Sequence, residues 1–421
     1  MTNSAQYMRT RLFTACTAMS AVTILAAACG SSGGGSGQSN LGPGISASKI
    51  TVANVSVLTG PVPGLFQGAP FGAEAYFAYI NSTGGVFGRK ISLSSLDDQL
   101  NCTTNETLVQ EQVSQVFAFV GQTSVFDNCG EKILAKHPDV PDVSFTFDPT
   151  TAALPNAFSP EPYLQGFPTG SLLYVKQKYP DAITKVGSLV GNNASSIATW
   201  DYQQAAMESV GYKIIYKHLV GTALSPALLA PDVVRMKSAG VQIVALTAVN
   251  DTGVADFLNA AQQQGWHPLL VTNTGTAYDS AFLKTLTAGA GGNLLITLNT
   301  SLFRGEDTSN PGVQLFLKWI HKTHPSFSPD IWSLDSWASA ALFVQALKAA
   351  GPQPTQAKVL TALKAIHNFN AGGVIAPTNP GSKIASKCYL LVGLDNGKFT
   401  KVDDPASGFR CDGILHLGTG S

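Results

Sequence analysis

The sequence predicts an α/β protein of two lobes. Two observations carry this. Short β-branched runs alternate with amphipathic helical segments over connections of a few residues, which is the pattern of parallel sheets built from right-handed βαβ units. The alternation also runs as two separate series, one up to about residue 147 and one from about residue 185. The 421 residues suffice for two or more domains, and 44% hydrophobic against 12% charged residues suits a sizeable core and excludes a disordered chain.

The first series opens with the strand "KITVANVSVL" (49–58) and the loop "GPVPGLFQG". "GAPFGAEAYFAYINSTGG" (68–85) reads as a helix, with Pro70 in its first turn and Gly84-Gly85 as its stop. "RKISLSSLDD" (89–98) is a strand, and Thr103 with Glu106 forms a capping box for a helix running through Gln115. "VFAFVG" and, after a short helix, "DVSFTF" complete the series. In the second, the strands "KVGSLVG", "YKIIYKHLV", "VQIVALTAV", "HPLLVTN" and "NLLITLNT" alternate with the helices "ATWDYQQAAMESVG", "PALLAPDVVRMKSAG", "DTGVADFLNAAQQQG" and "YDSAFLKTL", the last capped by Asp279. Then come three helices in succession, "NPGVQLFLKWIHKTH", "DSWASAALFVQALKAAG" and "TQAKVLTALKAI". A hairpin, "SKCYLLVGLDNGKFTKV", turns at Asp395-Asn396-Gly397.

The N-terminus reads as an export signal (1–28), with Arg9 and Arg11 ahead of an apolar run from Leu12 to Ala28. Cys29 follows Leu25-Ala26-Ala27-Ala28, similar to a bacterial lipobox, although Ala26 stands where Leu is commonest. The Gly/Ser-rich stretch of 29–45 would then tether a domain to a lipid anchor on Cys29, outside the cytoplasm at the cell membrane. Cys102, Cys129, Cys388 and Cys411 remain, an even number in an exported chain, which argues for two disulfides. Three pairings are open; proximity favours Cys102–Cys129 and Cys388–Cys411.

Lys+Arg and Asp+Glu are both 26, so no basic field exists to attract nucleic acid. Catalytic motifs are missing or misplaced. Gly30-Ser31-Ser32-Gly33-Gly34 matches G-x-S-x-G, but in the linker rather than on a strand-to-helix turn. There is no Walker loop and no H-E-x-x-H, and neither His321 with His324 nor the cysteines make a metal set. The pair Asp97-Asp98 suits a turn better than acid/base work. No cofactor and no metal are expected, and catalysis is the minority reading.

Binding fits better. In open parallel sheets, ligands sit beyond the carboxyl ends of the strands, and two lobes can close on them. The loops there offer Thr123 and Ser124, Phe147 and Asp148, Asn193 and Trp200, Asn250 and Asp251, and Thr274 and Tyr278. The structural alternative for each is a cap or loop hydrogen bond, and for Trp200 a place in the core.

Several stretches together resemble the periplasmic leucine/isoleucine/valine-binding proteins, the receptors of branched-chain amino acid ABC importers. "ITVANVSVLTGP" is similar to that family's opening strand and turn, and "GAEAYFAYINSTGGVFGRKISLSSLDD" to its next helix and strand. "IWSLDSWASAALFVQALKAAG" and "GGVIAPTNPG" resemble its late helix and strand, and Cys102 and Cys129 fall where it carries a disulfide. The resemblance implies a type I periplasmic-binding-protein fold with interleaved lobes, 46–155 with 300–372 and 156–299 with 373–421, hinged by three crossovers. It implies a monomeric solute-binding lipoprotein that hands a small polar solute, a branched-chain amino acid or an amide- or urea-like compound, to a membrane permease. Thr123 and Ser124 would lie near a ligand carboxylate, with Phe147 and Asp148 adjacent. Thr274 stands where the family often has the acid that holds the ligand ammonium, and Asp251 is the substitute. Alternatives are a ligand sensor of the same fold and, less favoured, an α/β hydrolytic enzyme.

Overall fold

The computed structural model describes residues 42–417 apart from 63–64, 163–165, 222, 273–274, 305–308, 404 and 406–407. The expected signal, the lipidation site Cys29, nearly all of the linker and Thr274 lie outside the described residues.

The first sheet forms from β1 (Lys49–Ser56), β2 (Lys90–Asp97), β3 (Ala118–Val120), β4 (Asp142–Val143) and β5 (Ala157–Phe158), all parallel, in the order β2-β1-β3-β4-β5. Helices α1 (Gly68–Ser82), α2 (Cys102–Gln112), α3 (Asp127–Leu134) and the short α4 (Pro149–Ala153) connect its strands. The pairing begins at a β-branched strand whose residues are almost all buried, as a strand covered on both faces requires.

After β6 (Gly166–Pro168) and α5 (Gly170–Lys178) the second sheet begins. It comprises β7 (Val186–Gly191), β8 (Ile214–Val220), β9 (Ile243–Thr247), β10 (Leu269–Thr272) and β11 (Leu294–Leu298). Between these strands run α6 (Ala194–Ser209), α7 (Pro226–Ser238), α8 (Asp251–Gln263) and α9 (Ser280–Thr285). The chain then returns to the first sheet as α10 (Pro311–Thr323), α11 (Ile331–Ala349) and α12 (Gln356–Lys364). Of these, α10 and α11 pack on α1, α11 also on β3 and β4, and α12 on α11. It crosses back a third time to add β12 (Leu390–Asp395) and β13 (Lys398–Lys401), both antiparallel to their neighbours, giving β13-β12-β11-β10-β9-β7-β8. Finally β14 (Leu415–Leu417) pairs with β6.

Helix α11 is buried on nearly every side, the mark of a central helix. It crosses α1 so closely that a Cβ on Gly72 would lie 1.9 Å from the Ser333 carbonyl oxygen, which explains glycine there. The disulfides are Cys102–Cys129, tying α2 to α3, and Cys388–Cys411.

Some boundaries differ from the sequence reading, each because a better cap lies upstream. Helix α2 is capped by Asn101, whose side chain accepts from Thr104 N–H, not by Thr103 with Glu106. Helix α6 starts at Ala194 behind Asn193, and α11 starts at Ile331 behind Asp330, whose carboxylate and Ser333 form a capping box. The residues "DPTT", read as a loop, enter α4 with Asp148 as cap and Pro149 in the first turn.

Candidate functional site

The five parallel strands of each lobe share one order. In the first sheet β1 and β3 are neighbours from which the chain winds outward in opposite directions; in the second sheet β7 and β9 are. Such a switch point opens a crevice at the carboxyl ends of the strands. The loops leaving all four strands converge on one cavity of about 460 Å³. Val62, Leu65 and Phe66 come from the loop after β1 and Val125 from the loop after β3; Asn193 follows β7, and Ala248 to Thr252 follow β9. Thr276, Asp279, Ser280 and Ala281, beyond β10, and Asp330, Ile331 and Trp332, at the start of α11, continue the wall, and Phe147, Lys284 and Ser326 to Ser328 complete it.

One side of the cavity is aromatic. Trp332 lies edge-on to Phe66 at 4.7 Å between ring centroids and 5.6 Å from Phe147, and Phe66 stacks on Phe147 at 5.6 Å. Phe145 backs the group at 4.9 Å from Phe147. Asp127 fixes this corner: its carboxylate accepts from the Phe147 N–H at 2.7 Å, the Asp148 N–H at 3.2 Å and the Thr146 hydroxyl. Burial pushes its carboxyl up to about 7 in spite of those bonds.

The other side is polar and acidic. Asn193 and Asn250 line the cavity and at the same time cap α6 and α8, accepting from Ser196 and Gly253 N–H at 2.9 and 3.2 Å. Asp279 caps α9 through the Ala281 N–H at 2.6 Å, and Asp251 sits in the first turn of α8 within hydrogen-bonding reach of it. Burial raises the Asp251 carboxyl to about 6, and the charge of Asp279 adds to the rise. Asp330 faces both from the first lobe. Its carboxyl is raised to about 7, by burial first and then, against the Ser333 N–H bond, by the charges of Asp279 and Asp251. The Arg304 guanidinium lies 3.9 Å from Asp279 and donates to the Pro329 carbonyl at 2.9 Å, while Lys284 stands exposed at the rim.

Of the residues singled out in the sequence, Phe147, Asn193, Asn250 and Asp251 line this cavity. Thr123, Ser124, Asp148, Trp200 and Tyr278 do not. The Thr123 N–H donates to the Ser56 hydroxyl, the Ser124 hydroxyl donates to Asp98, and Asp148 is occupied capping α4. Trp200 is wholly buried in the second lobe's core and donates its indole N–H to Gln204. Tyr278 is also fully buried, and its hydroxyl accepts from the Phe303 and Arg304 N–H groups. Sequence reasoning missed Phe66, Asp330 and Trp332 and took Asp279 only as a cap. The signal for Asp330 was present: Asp330 and Ser333 stand at capping-box spacing ahead of the long apolar run of α11. The pair Asp97-Asp98 is structural, Asp97 accepting from Leu58 and Thr59 N–H and Asp98 from Leu100 N–H and Asn105.

The family model described as periplasmic binding protein matches residues 49–398. The chain belongs to the periplasmic binding protein family. Solved structures with the same fold include a fatty acid ABC transporter substrate-binding protein from Thermomonospora curvata, 16% identical, with a TM-score of 0.74 over 88% of this chain and 94% of that one. A substrate binding protein of an ABC transporter from Aeropyrum pernix is 17% identical, with a TM-score of 0.74 over 88% and 96%. A branched chain amino acid ABC transporter from Thermus thermophilus with bound valine is 19% identical, with a TM-score of 0.70 over 84% and 95%. At these identities the likeness establishes the type I fold of this binding protein. No curated protein matches it in sequence.

Proposed function

We propose that this binding protein is the lipid-anchored, extracytoplasmic receptor of an ABC importer, taking up a small solute between lobes 46–155 with 300–372 and 156–299 with 373–421. The observation that carries the reading is the position of the cavity, which takes its walls from the switch points of both sheets. A ligand seated there touches both lobes, so its contacts favour the closed state over the open one. The volume suits a small molecule. The three crossovers are the hinge: Thr378 donates to the Pro160 carbonyl at 2.7 Å, and the Ala376 N–H donates to the Asn299 carbonyl at 2.7 Å.

Solute uptake by cells lacking the protein tests transport. Uptake is restored by the wild-type chain and not by Ala281→Trp, which fills the cavity; equal restoration by both refutes the reading. For the anchor, the full chain partitions into detergent and Cys29→Ser into the aqueous phase; identical partitioning refutes lipidation.

A further inference from the structure

Resting on the reading of the chain as lipid-anchored at Cys29, we propose that the base of the first lobe is a membrane-seating surface, with Phe87 as the side chain that enters the lipid headgroup layer. The first observation is where the tether arrives. The described chain begins at Gly42, and β1 starts at Lys49, at the amino end of the first sheet. The cavity lies at the carboxyl ends of the same strands, about 26 Å away along the eight residues of β1. The tether therefore joins the lobe at the edge opposite the cleft.

The second observation is Phe87 itself. It stands on that same edge, at the tip of the turn between α1 and β2, and is 48% exposed. Val86 and Arg89 exchange both backbone hydrogen bonds, at 2.9 and 3.0 Å, and between them Phe87 and Gly88 have φ of 50° and 80°. A turn with both central residues left-handed favours Asn, Asp or Gly at the first of them, because a bulky side chain is strained there. Phe87 combines that strain with a ring left in water, and burial of the ring among headgroups offsets both. The turn is also fastened to the root of the tether. The Arg89 guanidinium donates to the Ser46 carbonyl at 2.9 Å and to the Pro352 carbonyl at 3.0 Å, and the Lys90 N–H donates to the Ser48 carbonyl at 2.9 Å. Lys49 and Lys90, both exposed, are register partners at the first pair of β1 and β2, Lys90 also donating to the Asn81 carbonyl. An apolar ring beside cations suits a surface of anionic headgroups. With the base seated, the carboxyl ends of the strands, and the cavity with them, point away from the bilayer. The chain from Cys29 to Gly42 reaches at most about 45 Å, more than the height of the strands, so the tether lets the lobe lift off and turn.

Headgroup quenching on the full chain tests this. The lipidated protein is reconstituted in vesicles of phosphatidylethanolamine and phosphatidylglycerol that carry a headgroup nitroxide. A bimane label sits either at Thr83→Cys, exposed beside the turn, or at Lys284→Cys, exposed at the cleft rim. The label at Thr83 is expected to be quenched about threefold more than the label at Lys284. Phe87→Asn, which suits the left-handed turn, is expected to abolish that excess and to leave the thermal midpoint at or above that of wild type. Equal quenching at the two positions, an excess at Thr83 that survives Phe87→Asn, or a lower midpoint in that variant overturns the inference. A surviving excess would be the work of the tether alone, and a lower midpoint would make Phe87 a packing residue. Flotation with the vesicles separates this from the anchor. A chain that floats and gives any of those three results loses only the seating surface; one that does not float loses the anchor and the seating surface with it.

Discussion

Asp251, Asp279 and Asp330 at the cleft and Glu161 and Asp335 beneath the crossovers are all acids withdrawn from water, yet the fold treats them differently. Each cleft acid stands at a helix N-terminus, where backbone N–H groups and the helix dipole favour negative charge. Each also faces an open cavity. The acids beneath the crossovers have neither. Glu161 accepts from Asn299, but its Oε1 makes no hydrogen bond among the described residues, nor does the Oδ1 of Asp335. Burial raises Glu161 to about 7 and Asp335 well above its ordinary range, the charge of Glu161 adding to the latter. Burial raises Asp330 and Glu161 alike, to about 7, so the two groups differ in surroundings rather than in protonation: the cleft acids border a cavity that a ligand can enter, and the crossover acids are closed off from it.

The largest expected effect follows from the second group. Because Glu161 titrates higher in the folded chain than in the unfolded one, the folded state binds more protons between about pH 4.5 and 7, and stability falls as pH rises through that window. Glu161→Gln removes the ionisable group and keeps an acceptor for Asn299. It is expected to gain up to about 3 kcal/mol at pH 8 and nothing at pH 4. Urea unfolding of both proteins at the two pH values measures this. A variant less stable than wild type at pH 8 would mean that the carboxylate is ionised and paired, and the contrast between the two groups would collapse.

Asp330 belongs to the cleft and to the frame at once, and a middle-sized effect separates the roles. Asp330→Ala deletes the cap and the capping box of α11, costing about 1–2 kcal/mol. Compared at pH 4, where the raised Asp330 carboxyl is still protonated in the folded chain, Asp330→Asn keeps the cap, since asparagine serves as well there, and stays within about 0.5 kcal/mol of wild type; as with Glu161, it gains stability as pH rises through 7. Thermal unfolding of the pair at pH 4 decides it: equal losses in both variants would assign the stabilisation to the carboxyl itself rather than to the cap.

The strand–helix alternation was readable because each parallel strand is a short apolar run closed by a turn, and because helix stops at glycine are local signals. The site was only half readable. Loop residues after β7 and β9 could be named from their position at strand ends, and Asn193, Asn250 and Asp251 do line the cavity. Trp200 and Tyr278 sit in equally suggestive loops and helix starts, yet both turn inward, because a large ring at the edge of a lobe stabilises more by filling the core than by facing solvent. Trp332 and Asp330 come from a helix that returns to the first lobe after the whole second sheet, a proximity set by topology and invisible to local pattern.

Asp251→Asn gives the smallest effect and the sharpest contrast with Glu161. Burial and Asp279 raise the Asp251 carboxyl from 3.8 to about 6, so its ionisation also costs stability as pH rises through that range. The side chain borders a cavity open to solvent, which screens the interaction and limits the gain on neutralising it to about 1 kcal/mol at pH 8. Against this stands the loss of a negative charge in the first turn of α8, worth about 0.3–1 kcal/mol. The two nearly cancel, and the variant should unfold within about 0.5 kcal/mol of wild type at pH 8. A gain as large as that of Glu161→Gln would show Asp251 to be as strictly enclosed as the crossover acids, and would remove the distinction between acids that border the cavity and acids closed off within the fold.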